Sequence, residues 1–250
     1  MIYGFCFLAV VPVRAQASDA SEMISQMLFG DVFQILEATD KWAKIQMTFD
    51  GYEGWIDRKQ FFEISENEYL DIQQNWKSTI TTKTGVVSIE NQIFPIVFGS
   101  ILPDTDSVTL AGKKIVFLSE KKHISEFSIL EIVDYYKGTP YLWGGRSSLG
   151  IDCSGFTQNA FKIKGISLFR DAYQQATQGK EVVSIEEVKP YDLLFFANEN
   201  GRIIHVGIAL EDNKIIHASG HVRIDTFDAK GIVNECGNYT HSFHSARRIL

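Results

Sequence analysis

Cysteine is scarce. Cys6, Cys153 and Cys236 are the only three in 250 residues, and an odd set that cannot pair completely speaks against a disulfide framework. A basic surplus is missing too: 24 lysines and arginines against 31 acids leave a formal charge of −7. With those bases scattered among acids, neither nucleic acid nor a membrane surface is an expected partner. No run approaches the roughly 20 apolar residues needed to cross a bilayer, so membrane insertion is not expected. The opening MIYGFCFLAVVPVRAQA has an apolar stretch followed by A-Q-A. It lacks the basic n-region of a secretory signal, and Arg14 lies just before the would-be cleavage site. Val10, Val11 and Val13 around Pro12 read better as a strand with an edge or bulge. A cytoplasmic protein is the expectation; a cleaved signal, with secretion or a periplasmic location, is the alternative.

What is present can bury a sizeable core, at 45% hydrophobic residues, in one or two domains with a small extra module. Residues 1–64 read as short strands: Phe33 and Ile35 alternate, as do Ala43, Ile45, Met47 and Phe49, with Asp50-Gly51 as a turn. Residues 76–120 are again strand-like, and Phe98-Gly99 echoes Phe29-Gly30. A second, degenerate copy of the first unit and a strand-rich linker both remain open for this segment. At Ser125 the pattern changes. Ser125 can cap a helix with Phe127, Leu130, Val133 and Tyr136 at i+3 steps, ending at Gly138 with Pro140 beyond. A second helix starts at Cys153-Ser154 and stops near Gly165. Strands over 193–197, 203–210 and 214–219 follow, so residues 126–250 are expected to form an α+β domain.

Cys153 stands apart from the other thiols. Asp152 is a good N-cap, which puts Cys153 in the first turn of its helix. There the free N–H groups and the helix dipole should lower the thiol pKa and can serve as an oxyanion hole. On the strand IIHVGIAL, His205 shares a face with Gly207 and Ala209. A three-residue turn at Glu211-Asp212-Asn213 would pair Leu210 with Lys214 and Gly207 with His217, placing both histidines on one face. The pair supports a thiol base oriented by a second imidazole. Zinc at Cys153, His205 and His217 is the competing reading, and the His217–His221 spacing would suit it on a helix but not on a strand. His123, His241 and His244 read as structural or solvated.

D-C-S-G-F at 152–156, with T-P-Y-L-W-G-G before it and Y-D-L-L-F-F, H-V-G-I and I-I-H-A-S-G after it, resembles the NlpC-type family of cell-wall cysteine peptidases. The segments VPVRA, LFGDVF, W-A-K-I and YEGWID resemble a bacterial SH3-like domain. The resemblance implies a papain-like α+β catalytic domain behind one or two all-β SH3-like barrels, needing no cofactor and no metal. It implies Cys153 as nucleophile, His205 as base and His217 as the third polar residue. Tyr141 would hold the oxyanion or substrate, Asp152 and Ser154 would contact substrate, and Trp143 would wall the cleft; without the family, Tyr141 and Trp143 read as core aromatics. The combination is similar to enzymes that cut γ-D-glutamyl–diamino acid bonds in soluble wall peptides with a free N-terminal L-alanine. Asp171 matches the position of the carboxylate that meets the ammonium, with Ala172 where serine is common; Glu53 is a second candidate. Peptidoglycan-derived peptides are therefore the expected partners. Two alternatives are a secreted hydrolase anchored to intact wall by its SH3-like part, and a non-catalytic wall-peptide binder.

Overall fold

The computed structural model describes all of residues 1–250. The expected alternation builds a seven-stranded antiparallel sheet at the N-terminus, ordered Met23–Leu28, Val10–Arg14, Glu53–Asp57, Trp42–Met47, Val32–Ala38, Ile2–Phe5 and Phe62–Ile64. The register slips between Val13 and Arg14, the bulge foreseen beside Pro12. Val11, Val13, Phe33, Ala43, Ile45 and Ile56 are all fully buried inside this roll, as alternation along half-buried strands requires.

A helix, Glu66–Asn75, is opened by a capping box between Ser65 and Glu68. Residues 78–123 then form a two-stranded pair and a four-stranded sheet ordered Gln92–Val97, Thr84–Ile89, Lys113–Phe117 and Ser107–Leu110. Its two-residue turns hold Glu90, Asn91, Ala111 and Gly112 at positive φ, the geometry that matches strand twist in a tight hairpin. Phe5, Phe29 and Trp76 share one buried cluster with Ile80, Val87 and Phe117, so the two β-rich segments have a common core. The echo noted in sequence is conformational as well, with Gly30 at φ 92° and Gly99 at φ 91°.

The remaining chain is the expected α+β domain. One correction concerns its first helix, which spans Ile129–Tyr136 and is capped by Ser128, not Ser125. Ser128 has Glu131 three residues on and closes a capping box, whereas Ser125 has no acid there. The buried face is accordingly Ile129, Ile132, Val133 and Tyr136, and Leu130 is exposed. The helix Cys153–Ile163 is buried along its whole length. It packs on a sheet ordered Lys180–Val182, Tyr239–Arg248, Leu193–Ala197, Ile203–Ala209, Lys214–Ser219, His221–Asp228 and Gly231–Val233, closed by pairing of Tyr239–Arg248 with Gly231–Val233. No helix is long and apolar enough to cross a membrane.

Candidate active site

Asp152 caps the central helix by accepting from the Gly155 N–H at 2.7 Å, so Cys153 occupies the first helical position. Backbone N–H groups of Ser154 and Val206, the latter one residue beyond His205, bear on its sulfur and favour the thiolate. They do not prevail. Burial, and then the Asp152 carboxylate, push the Cys153 thiol up to about 12, which corrects the expectation that the helix start would depress it. The resting group is a neutral thiol.

The hairpin parity holds: Gly207 pairs with His217, and Asp212 and Asn213 take positive φ in the turn. A Cβ on Gly207 would stand 2.9 Å from His217 Cβ and 2.6 Å from Ile215 Cδ1. The missing side chain therefore makes room for the neighbouring strand. His205 Nε2 lies 2.8 Å from His217 Nδ1, and His217 Nε2 lies 3.0 Å from Asp225 Oδ2. Both ring nitrogens of His217 are thus engaged, and His221 is exposed. His241, read from sequence as structural or solvated, stacks on His205 with ring centroids 4.2 Å apart. Its strand, Tyr239–Arg248, is remote in sequence and reaches the site by pairing with Leu193–Ala197, the strand beside that of His205.

Burial, reinforced by His241 and His217, holds His205 well below the usual imidazole range, and burial holds His217 at about 4 against the opposing pull of Asp225. A base whose pKa is depressed on folding contributes stability above its unfolded value, near 6.5, that is lost as pH falls toward the folded value. For His217 the interval corresponds to about 3 kcal/mol. Urea midpoints should therefore drop steeply between pH 6.5 and 4, and His217→Asn should flatten that slope. An unchanged midpoint across the interval would show that the imidazoles are not buried neutral.

Around this centre lies a cleft of about 540 Å³ that Cys153, Tyr141, Trp143, Asp152, Ser154 and Asp171 all line. Of the substrate-contacting residues expected from sequence, Glu53 alone does not line it. Glu53 is exposed and paired with Lys44 at 2.8 Å. The N-terminal barrel reaches the cleft through Glu22, Ile24 and Tyr52 instead. Tyr52, one position before the strand that begins at Glu53, is directed at the site. Its hydroxyl lies 3.4 Å from both carboxylate oxygens of Asp171, and burial, more than any other influence, raises the Asp171 carboxyl. Glu22 accepts the Trp143 indole N–H at 2.7 Å.

Asp152 and Ser154 line the cleft and also carry a structural bond network. Both Asp152 oxygens receive the buried Arg170 guanidinium, at 3.0 and 2.6 Å, and Oδ2 also takes the Gly144 N–H. Ser154 Oγ is met by Arg170 at 2.9 Å. These groups tie the Tyr141–Gly144 loop to the cysteine helix. Arg170 went unread in sequence because a lone arginine beside an aspartate gives no sign of burial.

A neutral thiol at a helix start, an imidazole with one ring nitrogen free of side-chain partners, and a phenol beside them can carry out nucleophilic acyl transfer. On a papain-like α+β domain this defines the class as a cysteine peptidase. The chain belongs to the NlpC/P60 family, whose model matches residues 138–239, and the bacterial dipeptidyl-peptidase SH3 domain matches residues 13–61. The chain is 31% identical to the Bacillus subtilis gamma-D-glutamyl-L-lysine dipeptidyl-peptidase over 78% of its own length and 71% of that protein's. It is 28% identical to dipeptidyl-peptidase 6 of Lysinibacillus sphaericus, covering 83% and 85% of the two chains. The crystal structure of an NlpC/P60 family protein from Bacillus cereus superposes with a TM-score of 0.81 at 22% identity, over 99% of each chain.

Proposed function

We propose that this enzyme hydrolyses the γ-D-glutamyl–diamino acid amide bond of short, soluble peptidoglycan peptides carrying a free N-terminal L-alanine. Cys153 attacks the carbonyl as its proton passes to His205, which His217 orients. Tyr141 is neutral, because burial raises its phenol, so its O–H can donate to the developing oxyanion. Attack forms the S–C bond and expels the diamino acid as an amine, and water then hydrolyses the thioester.

The observation that carries the substrate reading is Asp171. Its half-buried carboxylate lines the cleft, with the Tyr52 hydroxyl at 3.4 Å from the opposite wall and the Tyr173 hydroxyl and Arg170 charge also bearing on it. A carboxylate so placed favours an ammonium, since a charge left unpaired in a closed site is costly. Glu22 and Tyr52, both from the N-terminal barrel, line the same cleft and limit how far a chain can extend there. The Bacillus subtilis relative, a gamma-D-glutamyl-L-lysine dipeptidyl-peptidase, supports this chemistry.

The test compares L-Ala-γ-D-Glu-diamino acid with its N-acetylated form. The free amine should be cleaved about 10²–10³-fold better in kcat/KM, the factor expected for one unpaired charge. Asp171→Asn should remove most of that difference without changing the rate of Cys153 alkylation. Equal cleavage of both peptides by the unaltered enzyme would sink the free-amine reading.

A further inference from the structure

Beyond His217 the hydrogen-bonded chain continues. Asp225 Oδ2 meets His217 Nε2 at 3.0 Å, while Arg223 donates to Asp225 Oδ1 through Nε at 3.2 Å and Nη2 at 2.8 Å. Asp225 and His217 are both buried, and Arg223 is partly exposed on the same strand, His221–Asp228. The other groups facing this chain are His241, stacked on His205 from the strand Tyr239–Arg248, and Glu235, whose carboxylate is 3.8 Å from Arg223.

We infer that Asp225, oriented by Arg223, is a positioning residue that sets the tautomers of both histidines and thereby makes His205 Nδ1 the catalytic base. The inference rests on the cysteine-peptidase reading of Cys153 and His205. An ion-paired carboxylate only accepts hydrogen bonds, so His217 Nε2 must carry a hydrogen. In a neutral imidazole the other nitrogen is then a lone pair, so His217 Nδ1 accepts. His205 Nε2 must donate to it, and the remaining lone pair of His205 falls on Nδ1. Reversing any one of these bonds reverses all of them.

The reaction then balances in hydrogens. The thiol proton moves to His205 Nδ1 as the S–C bond forms, giving an imidazolium whose Nε2–H remains bonded to His217 Nδ1. When the tetrahedral intermediate collapses, that Nδ1 proton leaves with the amine. Both the positive charge on His205 and its orientation are supported through His217 by the Asp225 carboxylate.

Arg223 makes the idea sharply testable. In Asp225→Asn, the amide oxygen stays with the two Arg223 donors, so the NH₂ group faces His217 Nε2 and inverts the chain. His205 Nδ1 would then carry a hydrogen toward Cys153. A wrong-tautomer aspartate-to-asparagine change of this kind costs about 10⁴-fold in kcat in a serine protease triad, and a loss of about 10³–10⁴-fold with KM little changed is expected here. Adding Arg223→Met frees the amide to turn its oxygen to His217, so the double variant should regain at least about tenfold over Asp225→Asn alone.

Two-bond ¹⁵N–¹H correlation spectra of the full chain without substrate report the tautomers directly. The unaltered protein should show Nε2–H on both His205 and His217, and Asp225→Asn should show Nδ1–H on both. Nδ1–H in the unaltered protein, even should the variant not fold, overturns the inference. So does a loss of activity in Asp225→Asn with unchanged tautomers, or a double variant no better than the single one. Because the spectra need no substrate, failure of the proposed peptide to turn over leaves this result standing by itself.

Discussion

Cys153→Ala should lower turnover by about 10⁵–10⁶-fold, the scale seen when a nucleophile is removed from a hydrolase whose groups act as a unit. The fold should survive. Alanine fits the same helical position, and the Asp152 cap, which bonds the Gly155 N–H, is untouched. The same thiol should also show its neutral resting state in its chemistry. With the thiol pushed up to about 12, the thiolate fraction rises tenfold for each pH unit through pH 6–9. In a Cys236→Ser background, which removes the exposed thiol, the rate of iodoacetamide alkylation should follow that line without a plateau. Cys6 should not react, because burial above all raises it far above the usual thiol range. A plateau near pH 6 would mean that a thiolate–imidazolium pair forms before substrate arrives. Catalysis with a neutral pair instead requires proton transfer and attack to proceed together, which is where the orientation of the His205 lone pair decides the rate.

Much of this site can be read in the sequence because its parts are local patterns. A helix start is a cap followed by a thiol, and hairpin parity follows from a three-residue turn, so Cys153, His205 and His217 emerge from short windows. Asp225 and His241 do not. Asp225 reaches His217 from the neighbouring strand, and His241 is carried in on Tyr239–Arg248 by its pairing with Leu193–Ala197. Contacts between domains are just as silent. Asp31 in the first barrel meets Lys162 on the cysteine helix at 2.5 Å, and Arg146 bonds the Gln26 carbonyl at 2.8 Å. Neither spacing nor periodicity distinguishes such residues from solvated ones. The shift from Glu53 to Tyr52 and Glu22 has the same origin: the motif was visible, but which of its faces met the cleft depended on docking.

Arg170→Met should be the most destabilising single change near the cleft. Arg170 is only 2% exposed, and it bonds Asp152 twice, Ser154 Oγ and Ser25 Oγ. Removing it leaves Asp152 as a buried carboxylate with two backbone donors, a loss of about 3–5 kcal/mol by the behaviour of broken buried pairs. For a chain of this length that lowers Tm by roughly 10 °C. Asp152→Asn alone should cost a comparable amount, because it strands the guanidinium. The double variant, Arg170→Met with Asp152→Asn, should be at least about 2 kcal/mol more stable than the sum of the two predicts, as groups in one network couple. Additive losses would mean that the pair is merely adjacent. Activity should not recover with stability. Asp152 Oδ2 also holds the Gly144 N–H at 2.9 Å, and Gly144, at φ 75°, follows Trp143 in the loop that carries Tyr141. A buried ion pair is a poor way to stabilise a fold. Here it fixes the loop with the phenol to the helix with the thiol, so the double variant should fold well and still turn over slowly.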